Sequence, residues 1–319
     1  MTVLALPDVQ LNYQQVGDGT PVTMVHGLGA NMAFWYLGPS RLMTQQNNLL
    51  MYDLRGHGVS TMPDQGYTLD QMCDDLVGLL DTTGIERTDL VGHSYGARVA
   101  LAFAARHPER VSTLTVADTQ IRALQPPMRL ADWPHWDRWK EDLRAQGRVD
   151  LPSDDELIDF RLLAELGQSM GRQGAPKRRI NLNSRVMGDK GRKRWMKLLE
   201  ETSAGHELHD ESQLTEEELQ KIEVPTMLMY GNLSHCLPTS DALQDLLPDS
   251  RRVVVSGAGH FFPIVKPKTF ARAYQQFLQI AKERRRTGLS LRKRRRLQRV
   301  RAAQVPLGGN APINIRRTS

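Results

Sequence analysis

Short apolar runs alternate with stretches of helical period along most of this chain, and that alternation severely limits the possible folds. Six such runs, rich in Val, Leu, Met and Thr, begin at Val22, Asn48, Thr88, Val111, Val224 and Arg251. Between two of them, residues 68–84 have a helical pattern that Thr68 can cap and Gly84 can end. Strands that alternate with helices predict βαβ units and a mostly parallel sheet, which is the α/β class.

The alternation is interrupted once, by a long segment with helical patterns and no convincing strand. This segment, residues 120–222, holds four of the five tryptophans of the chain: Trp133, Trp136, Trp139 and Trp195. We therefore predict a core formed by residues 1–119 and 223–281, with a helical insertion at 120–222 between two strands of the sheet.

The pentapeptide GHSYG, Gly92–Gly96, lies between a predicted strand and a predicted helix and fits the pattern G-x-S-x-G. A turn this tight requires small flanking residues, and it lifts the hydroxyl of Ser94 clear of the sheet. The N-terminus of the next helix favours developing negative charge beside it. A helix cap flanked by glycines is the alternative, but the strand before the turn favours Ser94 as a nucleophile.

Composition excludes several classes of protein. The 319 residues are 40% hydrophobic and 24% charged, which are globular values. No apolar run approaches the about 18 residues of a membrane span, and the N-terminus does not resemble a secretory signal. Two cysteines, Cys73 and Cys236, do not form a disulfide framework. These features predict a cytoplasmic protein.

Four motifs follow one another in a familiar order: HGLG (26–29), DLRGHGVS (53–60), GHSYG (92–96) and GAGHFFP (257–263). In this the chain resembles the serine hydrolases of the α/β-hydrolase superfamily. The resemblance implies a mostly parallel eight-stranded sheet flanked by helices, with the insertion after strand 6 as a helical cap. It also implies that the backbone N–H of Leu28 joins that of Tyr95, the residue after the nucleophile, in an oxyanion hole.

A serine hydroxyl needs a base to accept its proton, and the chain has nine histidines. His260 is the best candidate because it follows a β-branched strand and comes last in the order nucleophile, acid, histidine. His235 is a rival candidate. His26 and His57 are expected to be structural, and the turn is expected to point His93 away from the site.

The position at which the family usually carries its acid, in the loop after the strand at 224–229, is occupied by Ser234. Asp118 ends the preceding strand, and some family members carry the acid there. Because parallel strands open on one edge of the sheet, a carboxylate at 118 can reach the same histidine. We predict that Asp118 is the acid, and we expect Ser234→Ala to have almost no effect on kcat. The alternatives are that Ser234 alone orients the base, that an unrecognised acid does so, or that Asp118 only caps a turn.

Trp133, Trp136 and Trp139 recur at three-residue spacing and would share one side of a helix. They form either an apolar wall of the substrate pocket or the core of the cap. The first possibility predicts a small to medium, largely apolar ester or thioester substrate. A C–C bond hydrolase or a cofactor-free haloperoxidase would use the same triad. A non-enzymatic receptor or inactive homologue is the alternative from another class.

The charge of the chain is concentrated at its end. Residues 282–319 contain thirteen Lys or Arg and one Glu, so their net charge is +12. The net charge of the whole chain is +6, so residues 1–281 have a net charge of −6. This basic tail predicts either a flexible extension or contact with nucleic acid or an anionic membrane surface. No cofactor is expected, and HELH (206–209) does not have the spacing of a metal motif.

Overall fold

The computed structural model describes residues 2–133, 136–145, 147, 149–158, 182–208, 210 and 214–287. Eight strands form one sheet: β1 Thr2–Ala5, β2 Gln10–Val16, β3 Thr20–Val25, β4 Asn47–Tyr52, β5 Thr88–His93, β6 Val111–Ala117, β7 Thr226–Gly231 and β8 Ser250–Val255. Their order is β1-β2-β4-β3-β5-β6-β7-β8. Only the pairs that involve β2 are antiparallel, and all others are parallel. The predicted α/β class and the eight-stranded, mostly parallel sheet are confirmed.

Helices cover both faces of this sheet. Those described are α1 Ala33–Leu37, α2 Ser40–Met43, α3 Leu69–Thr82, α4 Tyr95–Arg106, α5 Trp136–Ala145, α6 Leu182–Glu201, α7 Ala204–Glu207, α8 Glu216–Gln220, α9 Leu237–Leu246, α10 Phe262–Val265 and α11 Pro267–Thr287. Helix α3 begins as predicted, since Thr68 Oγ1 accepts a hydrogen bond from the Gln71 backbone N–H. Gly84 follows its end at φ +66°, a conformation that glycine tolerates.

Successive side chains of a strand point to opposite faces of the sheet, where they join two hydrophobic layers. In β4, Leu50 and Tyr52 join the cluster on one face, which includes residues of α3 and α4. Leu49 and Met51 join the cluster on the other face, with residues of α1 and α11. A strand buried on both faces reads as a continuous apolar run, which explains why the sequence revealed the parallel strands so clearly.

The register of the central strands sets the position of the functional residues. His93 of β5 pairs with Ala117 of β6, and Ala117 pairs with Met229 of β7. The residues that follow these three positions leave the sheet together at its carboxyl edge. This edge is where ligands bind in open α/β sheets.

The described part of the inserted segment contains helices α5 to α8 and, at 120–129 and 149–158, turns and coil with one isolated bridge between Arg129 and Leu157. Its helix α6 packs on the core, because Trp195 and Leu198 belong to the same cluster as α3 and α4. A Cβ at Gly56 would lie 2.5 Å from Leu198 Cδ1, so the insertion covers the loop after β4 closely.

The last helix, α11, extends to Thr287, beyond the core boundary predicted at residue 281. Arg284 Nη1 donates to Asp249 Oδ1 at 3.3 Å, which ties the start of the basic segment to the core. Residues 288–319 lie outside the described residues, so their contact with nucleic acid or an anionic membrane stays a prediction. In the described part of the chain, none of the helices is long and apolar enough to cross a membrane.

Candidate active site

Ser94 lies at the sharp turn between β5 and α4, with φ 56° and ψ −125°. This left-handed conformation costs an L-residue free energy and is frequent at functional sites. The flanking glycines are required by close packing. A Cβ at Gly92 would lie 2.3 Å from Gly96 O, and one at Gly96 would lie 2.3 Å from Val25 O. The sequence therefore forces Ser94 out of the sheet at the start of a buried helix.

The turn after β3 packs directly against this serine. A Cβ at Gly27 would lie 2.8 Å from Ser94 Cβ, so only glycine allows the approach. Leu28, the next residue, is half-buried, and Tyr95 begins α4. The backbone N–H groups of Leu28 and Tyr95 thus belong to two segments that meet at Ser94. This is the arrangement that the oxyanion-hole prediction requires.

A carboxylate and an imidazole form the second half of the site. His260, in the loop after β8, places Nδ1 2.9 Å from Oδ1 of Asp118, which directly follows β6. The Asp118 side chain is fully buried and that of His260 is 14% exposed. Asp118 has φ 51°, the second non-glycine residue with positive φ besides Ser94 in the described ranges. Both strained residues therefore belong to the predicted triad.

The end of β7 supports the carboxylate instead of supplying one. Asp118 Oδ2 accepts from the backbone N–H of Gly231 at 2.8 Å, and Oδ1 accepts from the Ser234 hydroxyl. Burial would raise the pKa of Asp118, but the hydrogen bonds from His260, Ser234 and Gly231 bring it below its ordinary value. Ser234 therefore contacts the carboxylate, so a measurable effect of Ser234→Ala on kcat is now expected.

In the described part of the chain, Ser94 Oγ forms no hydrogen bond. The serine and the imidazole are thus not yet joined, as is frequent in catalytic sites before substrate binds. The ring of Phe261 lies edge-on to that of His260, with 5.2 Å between the ring centroids. Leu28 follows Gly27, the residue that packs against Ser94 Cβ.

His93 holds the base in place, a role that sequence reasoning missed. Its Nε2 donates to the backbone carbonyl of His260 at 2.9 Å. Its ring stacks on that of Phe34, with 4.4 Å between the ring centroids. Burial lowers the pKa of His93 to about 3, so the ring is neutral and its tautomer is fixed by this bond. In the sequence, the position of His93 directly before Ser94 in GHSYG could have indicated this role.

Among the described residues, none of His26, His57 and His235 hydrogen-bonds to Asp118. His26 bridges the Gly27 carbonyl and the Leu54 N–H, and His57 Nδ1 donates to the Arg55 carbonyl at 2.9 Å, so both rings are bonded to backbone groups. His235, the rival base, lies with its ring 5.5 Å from that of His260. Burial lowers its pKa to about 4.

The DLRGHGVS loop is hydrogen-bonded to the segment that follows the HGLG turn. Asp53 accepts from the backbone N–H groups of Met32 and Val59 and from Asn12 Nδ2, at 2.8 to 2.9 Å. Arg55 is fully buried and forms ion pairs with Asp75 and Asp8. Three donors on one carboxylate and two acids on one guanidinium satisfy these buried charges. They are structural residues of the site.

Trp133 and Trp136 do not lie on one helix, because α5 begins at Trp136. Trp136 is buried with Leu130 and Leu143 in a small cluster of the insertion, and its Nε1 donates to Asp154 Oδ1. Trp133 precedes α5 and packs against this cluster. The side chain of Trp139 lies outside the described residues. The cap-core alternative therefore fits Trp136, and the apolar wall predicted from it is not found there.

A cavity of about 540 Å³ lies between the cap and the core, beside the oxyanion turn. It begins at Gly29 and is bounded by the loops after β3 and β4 and by α6, with Asp53, His57, Lys190 and Arg194 among its walls. None of Ser94, Asp118 and His260 lines it. The cavity is thus adjacent to the reactive groups without containing them.

Comparison with known proteins places the chain in a family. The model of the α/β hydrolase fold family matches residues 20–267. This is most of the chain, and the chain belongs to the α/β hydrolase fold family.

Two curated relatives come from Pseudomonas. A 2-hydroxymuconate semialdehyde hydrolase of Pseudomonas sp. (strain CF600) is 37% identical over 34% of this chain and 39% of its own length. A 2-hydroxy-6-oxo-2,4-heptadienoate hydrolase of Pseudomonas putida F1 is 25% identical over 85% of this chain and 93% of its own length. The match to the first covers only about two fifths of that relative.

Solved structures share the fold. A hydrolase from Pseudomonas aeruginosa PA01 superimposes with a TM-score of 0.62 and 23% identity, over 87% of this chain and 97% of that one. At this level of identity, the likeness shows the fold and leaves the substrate open.

Proposed function

We propose that this chain is a serine hydrolase that cleaves small to medium, largely apolar esters or thioesters through an acyl-enzyme. One observation carries the proposal. Ser94 sits strained at the β5–α4 turn, beside an Asp118–His260 pair joined at 2.9 Å. The half-buried apolar residues Leu28 and Phe261, which follow Gly27 and His260 in the chain, favour an apolar acyl group.

In the proposed reaction, His260 Nε2 accepts the proton of Ser94 Oγ as the oxygen attacks the substrate carbonyl. Asp118 keeps the other imidazole proton on Nδ1 and stabilises the imidazolium. The N–H groups of Leu28 and Tyr95 bind the oxyanion. His260 then protonates the leaving alcohol or thiol, and water releases the acyl group by the same steps in reverse order.

A fluorophosphonate probe and a series of p-nitrophenyl esters from acetate to octanoate test this proposal. We expect labelling of Ser94 and turnover that peaks at a medium chain length. Ser94→Ala should abolish both, whereas the matched variant Ser256→Ala, at an exposed serine, should retain both. Absence of labelling in the wild-type chain would support an inactive homologue instead.

Cleavage of a C–C bond beside a ketone is the second candidate. The relative matched over 93% of its own length is named as a hydrolase of 2-hydroxy-6-oxo-2,4-heptadienoate, and such a reaction could use the same triad. Loss of the visible absorbance of that dienoate on mixing with the enzyme would identify it. If its kcat/KM exceeds that of every ester at least a hundredfold, the ester proposal is replaced.

A further inference from the structure

Three metal-ligating groups of different chemistry converge behind the base. Asp118, Cys236 and His260 each offer one ligand atom, and these atoms all lie within 4.8 Å of one another. They come from the end of β6, the start of α9 and the loop after β8. The distance from Cys236 Sγ to His260 Nδ1 is 3.8 Å, and His260 Nδ1 lies 2.9 Å from Asp118 Oδ1.

The separation of Cys236 Sγ and His260 Nδ1 is close to that of two ligand atoms around a tetrahedral zinc ion. With Zn–S near 2.3 Å and Zn–N and Zn–O near 2.0 to 2.2 Å, neighbouring ligand atoms lie about 3.3 to 3.6 Å apart. The thiol and the imidazole are already at this separation within a few tenths of an ångström. The carboxylate has to move slightly away from the imidazole. His235 Nε2, 3.3 Å from Cys236 Sγ, lies next to the cluster and can approach as a further ligand.

The charges of the cluster also suit a divalent cation. A thiolate and a carboxylate together carry −2, so an ion of charge +2 leaves a neutral site. Neutrality matters because Cys236 and Asp118 are buried, and an uncompensated charge there is costly. Sulfur and imidazole ligands favour Zn²⁺ or Cd²⁺ over Mg²⁺ and Ca²⁺, which prefer oxygen.

We propose that Cys236, Asp118 and His260 form an inhibitory site for Zn²⁺ or Cd²⁺. The inhibition rests on the proposed function, whereas the binding does not. When the metal bonds to Nδ1, the neutral imidazole carries its proton on Nε2 and has no lone pair there for the Ser94 proton. The imidazole therefore keeps one proton, moved from Nδ1 to Nε2. The thiol loses one proton to solvent.

The binding test uses Cd²⁺ and the full chain carrying Ser94→Ala, which removes the nucleophile and keeps the three ligands. Titration with CdCl₂ should produce the ultraviolet cadmium–thiolate absorption band with a stoichiometry of one ion per chain. Adding Cys236→Ser should remove the band. Adding Cys73→Ser, at the other buried free cysteine, should leave it. A band that survives in Cys236→Ser and disappears in Cys73→Ser overturns the proposal.

The inhibition test measures p-nitrophenyl butyrate hydrolysis against ZnCl₂, with each variant compared with its own rate without metal. We expect inhibition that EDTA reverses, an at least tenfold higher half-inhibiting concentration in Cys236→Ser and Cys236→Ala, and no change in Cys73→Ser. MgCl₂ should have no effect. Equal sensitivity of the wild type and both Cys236 variants overturns the proposal. Cadmium binding in a chain that hydrolyses nothing would refute the proposed function while the metal site stands.

Discussion

The carboxyl ends of β6 and β7 lie side by side, yet they contribute different chemistry to the same histidine. The end of β6 supplies the charge, through the Asp118 carboxylate 2.9 Å from His260 Nδ1. The end of β7 supplies two neutral donors to that carboxylate, the Gly231 N–H and the Ser234 hydroxyl. Ser234, which occupies the position where the family usually carries its acid, thus serves an acid on the neighbouring strand.

The difference shows that a carboxylate can reach this imidazole from the strand next to the one on which it was first sought. Adjacent strands lie about 4.8 Å apart, so a carboxylate on either can reach one imidazole. The strand that lacks the charge then has to satisfy the lone pairs of the buried carboxylate. Hydrogen bonds from the end of β7 do so here. Burial raises the pKa of Asp118, but His260 first, and then these donors, bring it below its ordinary value.

The largest expected effect is that of neutralising the β6 end. Asp118→Asn keeps the shape but presents an amide to Nδ1, which favours the wrong tautomer of His260. We expect kcat for p-nitrophenyl butyrate to fall about 10⁴-fold, as for the corresponding change in a serine protease. A fall of less than tenfold would remove Asp118 from the triad.

Moving the charge from β6 to β7 tests whether the two ends are interchangeable. Asp118→Ala vacates space next to residue 234, whose side chain already touches Asp118 Oδ1. Adding Ser234→Asp places a carboxylate there, and we expect the kcat of this double variant to be at least tenfold higher than that of Asp118→Ala. Ser234→Asn in the same background is the uncharged control. Equal rates for the two double variants would mean that the β7 end does not reach His260.

Removing the neutral donor at β7 has a smaller effect. Ser234→Ala deletes one hydrogen bond to a charged carboxylate, a bond worth about 1.5 to 3 kcal/mol, part of which neighbouring donors replace. We expect kcat to fall about tenfold or less, which revises the silent outcome expected from the sequence. Ser256→Ala provides the matched control. A loss as large as that of Asp118→Asn would give Ser234 a direct role in catalysis.

The smallest effect is on stability as a function of pH. The pKa of Asp118 is lower in the folded chain than in the unfolded chain, so the unfolded chain is protonated first as the pH falls. The stability that its ionised form contributes is present above about pH 4 and is lost as the pH falls through the folded value. The difference in free energy of unfolding between the wild type and Asp118→Asn should therefore shrink from pH 7 to pH 3 in urea titrations. A constant difference would contradict the lowered pKa.

Much of the fold and part of the site followed from local sequence. The inner parallel strands were visible because burial on both faces makes them largely apolar runs. The edge strand β8 was visible from its three consecutive valines, 253–255. Ser94 was visible because its turn tolerates only small neighbours, at positions 92 and 96. The edge strand β1 and its partner β2 were not assigned from the sequence, since both are partly exposed and β1 has only four residues.

Other features depended on contacts between distant segments. The three-residue spacing of Trp133, Trp136 and Trp139 suggested one helix face, but α5 begins only at Trp136, which the cap buries in its own cluster. His93 was expected to point away, yet it donates to the carbonyl of a residue far along the chain. Neither outcome leaves a periodic signal in the sequence.

By itself, the sequence determined the order of strands along the chain, the nucleophile turn and a short set of histidines and acids that could complete the site. The tertiary structure decided which of them meet. Asp118 lies against His260 because Ala117 pairs with Met229 in the sheet, which brings the end of β6 to the loops after β7 and β8. That register is set by packing across the whole sheet, and such long-range contacts are not encoded in any one stretch of residues.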